Sequence, residues 1–236
     1  MSKVGEYHSR KYSLNESFFN EWSPVMAYVL GFWFADGYMR IERSYRVLLT
    51  SNDKQILLDI RKVMKSSHPI RKSKTDQSFS ISFHSKKLYY KLEKLGGIRC
   101  KSRKIVIPYI PEKFIRDFIR GYFDGDGSVF FVEYTRTKDK RRTRELRTNF
   151  TSGSRKFLNS IMDILHKEID LPIKKLGVFN NGSSLKLGYG MKDSDTLLRY
   201  IYYKNFPIAL KRKAEYVSKI PKYQKHFLYK PQSPKI

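Results

Sequence analysis

Apolar residues in the first half of the chain recur with the period of a helix in some stretches and with the period of a strand in others. A mostly apolar stretch at 24–36 opens with Ser23 and Pro24 and ends at an Asp-Gly pair, which is typical of a helix. Residues 38–43 and 45–51 alternate as strands do, and an amphipathic helix at 53–65 follows. A second strand pair at 70–74 and 77–84 and a helix at 86–95 complete the order αββαββα.

The same order recurs in the second half. Residues 96–111 carry two glycines and two prolines and predict a linker. Beyond it the pattern predicts a helix from Pro111 to Gly125, strands at 128–135 and 144–152, a helix at 155–169, strands at 173–179 and 184–191, and a helix at 193–203. We therefore predict an α+β fold with antiparallel sheets, made of a unit at 1–95, a linker at 96–111, a unit at 112–208, and a basic helix and tail at 209–236, with the helix at 209–220 and the tail at 221–236.

The first helices of the two units share an arrangement of small and acidic residues. Their sequences are VLGFWFADG at 29–37 and IRGYFDGDG at 119–127. Small residues four positions apart fall on one helical face in each, namely Gly31 with Ala35 and Gly121 with Gly125. Glycine inside a helix costs about 1 kcal/mol relative to alanine, and close helix packing would offset that cost. We expect the two helices to pack by these faces and to bring Asp36 and Asp126 together.

Two aspartates at adjacent helix ends predict a bound cation. A helix C-terminus carries about half a negative charge, so an aspartate there is unfavourable by roughly 0.3–1 kcal/mol. The alternative interpretation is that each Asp-Gly pair only stops a helix and begins a turn. Recurrence at the same spacing in both units favours a functional site, and hard carboxylate oxygens suit Mg²⁺.

The charge balance points to a polyanionic partner. Lys and Arg number 48 against 22 Asp and Glu, which gives a net charge of +26. Nucleic acid is the usual partner of such a protein, although a structural RNA-binding protein would have the same composition. The chain has a single cysteine, so it has no intrachain disulfide and no cysteine-based zinc site.

Both nonapeptides resemble the LAGLIDADG motif of homing endonucleases, and GYFDGDG at 121–127 is a very close match. The resemblance extends to the order of elements and to the basic clusters at 101–104 and 211–213, so it covers nearly the whole chain. It implies a monomer of two pseudosymmetric units whose sheets form a saddle over double-stranded DNA, and a staggered, metal-dependent cut in both strands of a long site. The first motif departs from the family at Phe34, where the consensus has an acid and the second motif has Asp124.

The resemblance also implies the site residues. Asp36 and Asp126 would bind the metal and carry catalysis, and Ala35 and Gly125 beside them would complete the metal site. We expect Mg²⁺ as the cofactor, Mn²⁺ to substitute for it, and Ca²⁺ to bind without supporting cleavage. By alignment the polar and basic side chains around the metal would be Ser51, Ser152, Lys72 and Lys175. A lysine on a strand of so basic a protein can equally be a phosphate contact or a solvated residue.

Alternation along the strands predicts which residues face DNA. Apolar residues such as Val47, Leu49 and Phe150 would face the core, and their polar neighbours would face the duplex, where a β-ribbon fits the major groove. With the basic clusters and loops added, the predicted DNA contacts are Arg40, Arg46, Thr50, Arg71, Lys74, Ser80, Ser82, Lys101, Arg103, Lys104, Arg136, Arg147, Asn149, Thr151, Lys174, Lys186, Lys211, Arg212 and Lys213.

Two other functions are compatible with the same resemblance. An intron RNA maturase would bind its own intron RNA, and a DNA-binding regulator would bind without cutting. Neither needs the two aspartates, although a double role as nuclease and maturase stays open. Residues 1–12 lack the apolar core of a signal peptide, and the stretch at 25–35 is shorter than the ~20 residues that span a bilayer. We therefore expect no secretion and no membrane partner, and a location in a bacterial cytoplasm or the interior of an organelle.

Overall fold

The computed structural model describes residues 11–42, 44–97, 104–140, 142–179 and 181–224. The elements of the first unit are α1 (Pro24–Asp36), β1 (Gly37–Ile41), β2 (Tyr45–Ser51), α2 (Lys54–Val63), β3 (Ile70–Lys72), β4 (Phe79–His84) and α3 (Lys86–Lys94). The elements of the second unit are α4 (Ile115–Asp126), β5 (Gly127–Thr135), β6 (Arg142–Ser152), α5 (Arg155–Ile169), β7 (Gly177–Phe179), β8 (Ser184–Tyr189) and α6 (Met191–Ile201), and α7 (Lys211–Gln224) follows.

The two units have equivalent sheets. The strand order is β1-β2-β4-β3 in the first sheet and β5-β6-β8-β7 in the second, and every neighbouring pair is antiparallel. This confirms the predicted α+β fold of two αββαββα units. No helix among the described residues is long and apolar enough to span a membrane.

Side-chain caps explain where several helices begin. Ser23 accepts a hydrogen bond from the Met26 N–H at 3.1 Å, and Pro24 occupies the first turn, where its missing N–H costs nothing. The same type of N-cap bond starts three further helices, α2 at Asp53, α3 at Ser85 and α5 at Ser154.

Several predicted boundaries were wrong, among them the starts of β7 and α4 and the end of α7. The strand predicted at 173–179 begins only at Gly177, because the Lys174 N–H donates to Met162 Sδ and not to a neighbouring strand. Helix α4 is preceded by a 3-10 turn at Glu112–Phe114 and does not begin at Pro111. Helix α7 continues through Pro221 to Gln224, beyond the predicted start of the tail.

Helices α1 and α4 touch through their backbones. A Cβ atom added at Gly31 would lie 2.0 Å from the carbonyl oxygen of Phe118, and one added at Gly121 would lie 2.0 Å from that of Tyr28. Farther along the interface, a Cβ on Gly125 would lie 2.3 Å from the Cβ of Ala35. The predicted packing of the two helices by their small residues is confirmed. The helices lie so close together that a residue larger than glycine does not fit at positions 31 and 121.

A buried ion pair fixes α4 against the segment that follows α6. Arg120 is fully buried and donates to the Asp117 carboxylate at 2.7 Å and to the carbonyl oxygens of Ile208 at 3.0 Å and Ile201 at 3.1 Å. The aromatic rings of Tyr28, Tyr203 and Phe206 surround its guanidinium. A buried charge needs this degree of pairing, because an unpaired one costs several kcal/mol.

We predict that Gly121→Ala destabilises the protein by at least about 2 kcal/mol. In an open helix the same change would be favourable by about 1 kcal/mol, but here the new methyl group meets the backbone of α1. Gly177→Ala is the matched control, because its Cβ would meet atoms no closer than 3.8 Å. Urea unfolding of both variants measures the difference, and equal stability of the two would show that α1 and α4 do not pack in backbone contact.

Candidate active site and nucleic-acid interface

Asp36 and Asp126 are the last residues of α1 and α4. The next residue in each case, Gly37 or Gly127, donates its N–H to the carbonyl oxygen of Trp33 or Phe123 and begins a strand. Each carboxylate therefore lies where a central helix turns into the first strand of a sheet.

The helix contact places the two carboxylates in one neighbourhood. A Cβ on Gly125 would lie 3.1 Å from a carboxylate oxygen of Asp36, so this side chain lies against the opposite helix. Burial raises the pKa of the Tyr122 hydroxyl well above its usual value, and the negative charges of Asp126 and, more weakly, Asp36 raise it further. Both carboxylates thus act on one hydroxyl group, which donates to the Thr151 carbonyl oxygen at 2.7 Å.

Lys213 is buried at the C-terminal end of α4. Its ammonium donates to the carbonyl oxygens of Phe123 at 2.6 Å, Asp124 at 2.8 Å and Gly127 at 2.6 Å. Burial lowers the pKa of Lys213 to about 8, against the opposing effect of the negative charges of Asp124, Asp36 and Asp126. The predicted phosphate contact of Lys213 is therefore corrected, since its three donors are already used inside the protein.

The role of Lys213 was missed because it lies in a basic cluster that suggests a solvated surface. A signal was present in the helical spacing. Lys213 falls on the same face of α7 as Leu210, Ala214 and Val217, the positions that an amphipathic helix buries. A lysine near a helix C-terminus can also bond its last carbonyl groups and offset their negative charge.

Asp124 is a structural residue. It is buried and accepts hydrogen bonds from the Tyr28 hydroxyl at 2.7 Å, the Tyr202 hydroxyl at 2.5 Å and the Leu210 N–H at 2.7 Å. Burial raises the pKa of this carboxyl group, and the three hydrogen bonds oppose that rise. Asp124 thus joins α4 to α1, to the end of α6 and to the start of α7. The first unit has Phe34 at the equivalent position, and a phenylalanine side chain accepts no hydrogen bonds of this kind.

The two predicted serines lie at equivalent turns. Ser152 is buried, accepts from the Ser154 N–H at 3.1 Å and is a hydrogen-bond partner of Tyr122, so the structure brings it to the Asp126 side of the site. Ser51 accepts from the Asp53 N–H at 3.1 Å. Its neighbour Thr50 donates to the Asp36 carbonyl oxygen at 3.2 Å.

The two predicted lysines lie on or beside the edge strands of the sheets. Lys72 is on the edge strand β3, paired with Phe79, and β4 separates it from β2. Its register puts it on the face that carries Phe79 and Ile81, opposite to that of Arg71. Lys175 is exposed in the coil before β7, because the predicted strand does not extend to it.

The first sheet presents a polar outward face. Its register places the predicted DNA contacts Arg40, Arg46, Thr50, Arg71, Ser80 and Ser82 on one side. Arg46 donates to the Ser82 hydroxyl at 2.7 Å, and Arg40 pairs with Glu42 at 2.7 Å. A depression of about 260 Å³ on this face is lined in part by Arg46, Arg71 and His84. Burial, followed by the positive charges of Arg46 and Arg71, lowers the pKa of His84.

The second sheet presents an equivalent outward face of different composition. Asn149, Thr151 and Lys186 line a depression of about 420 Å³ together with Ser128 and Phe179. Arg147 lies on this face and pairs with Glu145 at 3.1 Å, so the face carries a negative charge beside its positive ones. The register of β6 confirms the outward orientation predicted for Arg147 and Thr151. Asn149 lies on the same face of the sheet, but it is buried and donates to the Ser128 hydroxyl at 3.2 Å.

The remaining predicted contacts divide into three groups. Lys74, Lys104, Arg136, Lys211 and Arg212 are exposed, and Arg136 lies 3.8 Å from the Asp139 carboxylate. Lys174 is partly exposed and pairs with Asp193 at the start of α6 at 3.5 Å. Lys101 and Arg103 lie outside the described residues.

The donor set fits a metal that completes its coordination with water and substrate. The described residues contain no group of three or more His, Cys, Asp or Glu side chains that could hold a metal ion. Two carboxylates at adjacent helix ends are what Mg²⁺ uses in phosphate chemistry, where it keeps waters and binds substrate phosphates. The chemistry of these two residues therefore fits Mg²⁺.

Sequence comparison gives two matches. Residues 113–175 match the family model of the LAGLIDADG-like domain. The chain is also 24% identical over 209 residues to the probable translation initiation factor IF-2 of Methanocaldococcus jannaschii, a match that covers 85% of this chain. The chain spans only 16% of that relative's length.

Structural comparison covers both units. The I-LtrWI LAGLIDADG homing endonuclease bound to target DNA matches with a TM-score of 0.61 and 12% identity, over 90% of this chain and 92% of that one. Meganuclease I-SmaMI bound to uncleavable DNA matches with a TM-score of 0.62 and 14% identity, over 85% and 90%. I-SmaMI bound to cleaved DNA matches with a TM-score of 0.59 and 14% identity, over 87% and 88%.

As the sequence resemblance predicted, the chain contains a LAGLIDADG-like domain and has, over both of its units, the fold of the LAGLIDADG homing endonucleases.

Proposed function

We propose that this protein is a site-specific endonuclease of double-stranded DNA that makes a staggered, metal-dependent cut with Asp36 and Asp126. The observation that carries the proposal is the backbone contact of α1 and α4, which ends in these two carboxylates. Two aspartates at adjacent helix C-termini lower the stability of the protein when no metal is bound. A reaction that uses a cation at this position explains why both are present.

The position of the carboxylates relative to the sheets supports a cut within bound DNA. Each aspartate is followed directly by the first strand of a sheet, and the outward faces of both sheets carry the arginine, lysine, serine, threonine and asparagine side chains that bind phosphates and base edges. A duplex held against both faces would present its backbone to Asp36 and Asp126. The solved homing endonucleases with this fold were obtained with target, uncleavable and cleaved DNA.

The chemistry requires a metal and an ordered set of protein groups. A bound Mg²⁺ would supply Lewis-acid chemistry, namely an activated water and stabilisation of the leaving 3′ oxygen. Asp36 and Asp126 would hold it, with Ala35 and Gly125 beside them. We expect Mn²⁺ to substitute and Ca²⁺ to bind without supporting cleavage.

Protein groups around the carboxylates fix the end of α4 and place a positive charge beside it. The Tyr122 hydroxyl interacts with Asp126 and donates to Thr151, so it fixes the end of α4 against β6. The Lys213 ammonium places one positive charge at the same end, which offsets part of the helix dipole and of the two carboxylates. We further propose that the protein acts as a monomer, since one chain contains both aspartates and both sheets.

We predict that Asp36→Asn or Asp126→Asn abolishes cleavage of both strands and leaves DNA binding at least as strong as in the wild type. Asparagine keeps the size of the side chain but removes a charge that the metal needs and that repels phosphate. Asp163→Asn, an exposed change on α5, is the control for charge removal alone. The measurement is strand-specific cleavage, with Mg²⁺ or Mn²⁺, of a site selected from a randomised DNA library.

Two results would contradict this proposal in different ways. If one strand is still nicked at a normal rate in a single variant, the two aspartates work independently. If the wild type cuts no faster than the double variant, the protein is not a nuclease, and an intron maturase or a non-cleaving regulator becomes the better assignment.

We predict that two lysines of one basic cluster behave differently. Lys211→Met should lower the slope of log K against log salt by about one, because Lys211 is exposed and can neutralise a phosphate. Lys213→Met should leave that slope unchanged and reduce cleavage about tenfold or more, because its charge acts on the end of α4. Thermal unfolding checks that both variants are folded. An equal fall in slope for both would show that Lys213 faces DNA.

A further inference from the structure

Strand β5 carries apolar side chains on the face of the sheet that points away from the hydrophobic core. Its register places Val129 opposite Thr148 and Phe131 opposite Leu146, both of which are buried, and Val129 and Phe131 pack against the hydrophobic core. Phe130 and Val132 alternate with them and therefore point to the other face of the sheet. Both are partly exposed, and neither belongs to the core. We call this pair the apolar strip.

The apolar strip is continuous with the proposed DNA interface. Phe130 lies opposite Arg147, and Val132 lies opposite Glu145, so the strip shares a face with Asn149, Thr151 and Lys186. No helix of the described structure covers this face at the strip. Helix α7 lies on the other side, where Tyr216 stacks on Phe131. An occupant must therefore be apolar at this point and anionic around it.

The thymine methyl group meets this requirement. In the major groove every base edge presents hydrogen-bonding groups, and the C5 methyl group of thymine is the apolar exception, which phenylalanine and other apolar side chains contact. The phosphates that border the groove would face the basic side chains of the same sheet. Both properties of the surface are thus matched by one ligand.

The first unit differs at the equivalent positions. Arg40 and Phe130 both lie four residues after the catalytic aspartate, and they pair with Arg46 and Arg147 respectively. Arginine hydrogen-bonds guanine and phenylalanine does not, so the two units offer different chemistry at the same distance from the central helices. The first unit has its own outward apolar pair, Tyr38 and Leu48, but that pair lies closer to the central helices.

We propose that Phe130 and Val132 contact thymine methyl groups in the half of the DNA site bound by the second unit, so that this half is read partly through apolar contacts. At about 3.3 Å per strand residue, the strip lies roughly 13 to 20 Å beyond Asp126. With a rise of about 3.4 Å per base pair, this corresponds to about four to six base pairs from the centre of the cut. The assignment of the cut rests on the proposed function, whereas the contact itself requires only DNA binding.

The experiment selects duplexes by binding alone, without divalent cation, and then replaces each thymine of the selected site with deoxyuridine, one at a time. Deoxyuridine keeps the base pair and removes only the methyl group. In the wild type, we expect replacement at one or more thymines about four to six positions from the site centre, in one half, to weaken binding about three- to fivefold each. This loss should disappear in Phe130→Ala/Val132→Ala and persist in the control variant Arg40→Ala.

Several outcomes overturn the proposal. A selected half-site with no thymine in that region, no effect of deoxyuridine there, or an effect that survives in Phe130→Ala/Val132→Ala would each do so, and so would the absence of any selected site. Because the strip is on the surface, the double variant should unfold at the wild-type temperature, which circular dichroism checks. Metal-dependent cleavage of the selected duplex is measured separately. Methyl sensitivity without cleavage would refute the nuclease alone, and cleavage without methyl sensitivity would refute only the thymine contact.

Discussion

The backbone contact between α1 and α4 is the constraint on which the rest of the molecule depends. Glycine at positions 31 and 121 lets two helices approach until carbonyl oxygens occupy the space of a side chain. This closeness carries Asp36 and Asp126 to a common neighbourhood, and it also fixes where the two sheets begin, since each sheet continues directly from one helix. Catalytic and recognition surfaces are therefore positioned by one interface, and a change there would displace both.

The two units have the same topology but keep their central helices in place by different means. Helix α1 is buried among apolar neighbours along its length, with Phe34 in the fully buried core. Helix α4 instead contains Asp117, Arg120 and Asp124, whose buried charges are each matched by hydrogen bonds. Pairs of this kind add specificity more than stability, because their desolvation cost nearly cancels their attraction. We infer that they select one position of α6 and α7 against α4.

Periodicity and small-residue spacing predicted most of this fold, because both report directly on which face of an element is buried. The order of elements, the packing of α1 on α4 and the outward orientation of Arg147 and Thr50 follow from local pattern alone. The error at Lys213 involves long-range partners. This lysine lies in basic surroundings, and only the fold shows that it bonds carbonyl groups at the end of α4. Lys72 could not be placed without knowing that β3 is an edge strand.

The position of Lys213 also has a consequence for the order in which the molecule is completed. Helix α4 comes early in the sequence of the second unit. The carbonyl groups at its C-terminal end nevertheless accept hydrogen bonds from the Lys213 ammonium of α7, and Asp124 accepts one from the Leu210 N–H. During synthesis the end of α4 therefore acquires these partners only after all the elements described between α4 and α7 have been made. A chain that stalls or is truncated before α7 would have both aspartates but would lack the ammonium that offsets part of their charge. The end of the central helix is thus completed long after the helix itself has been translated.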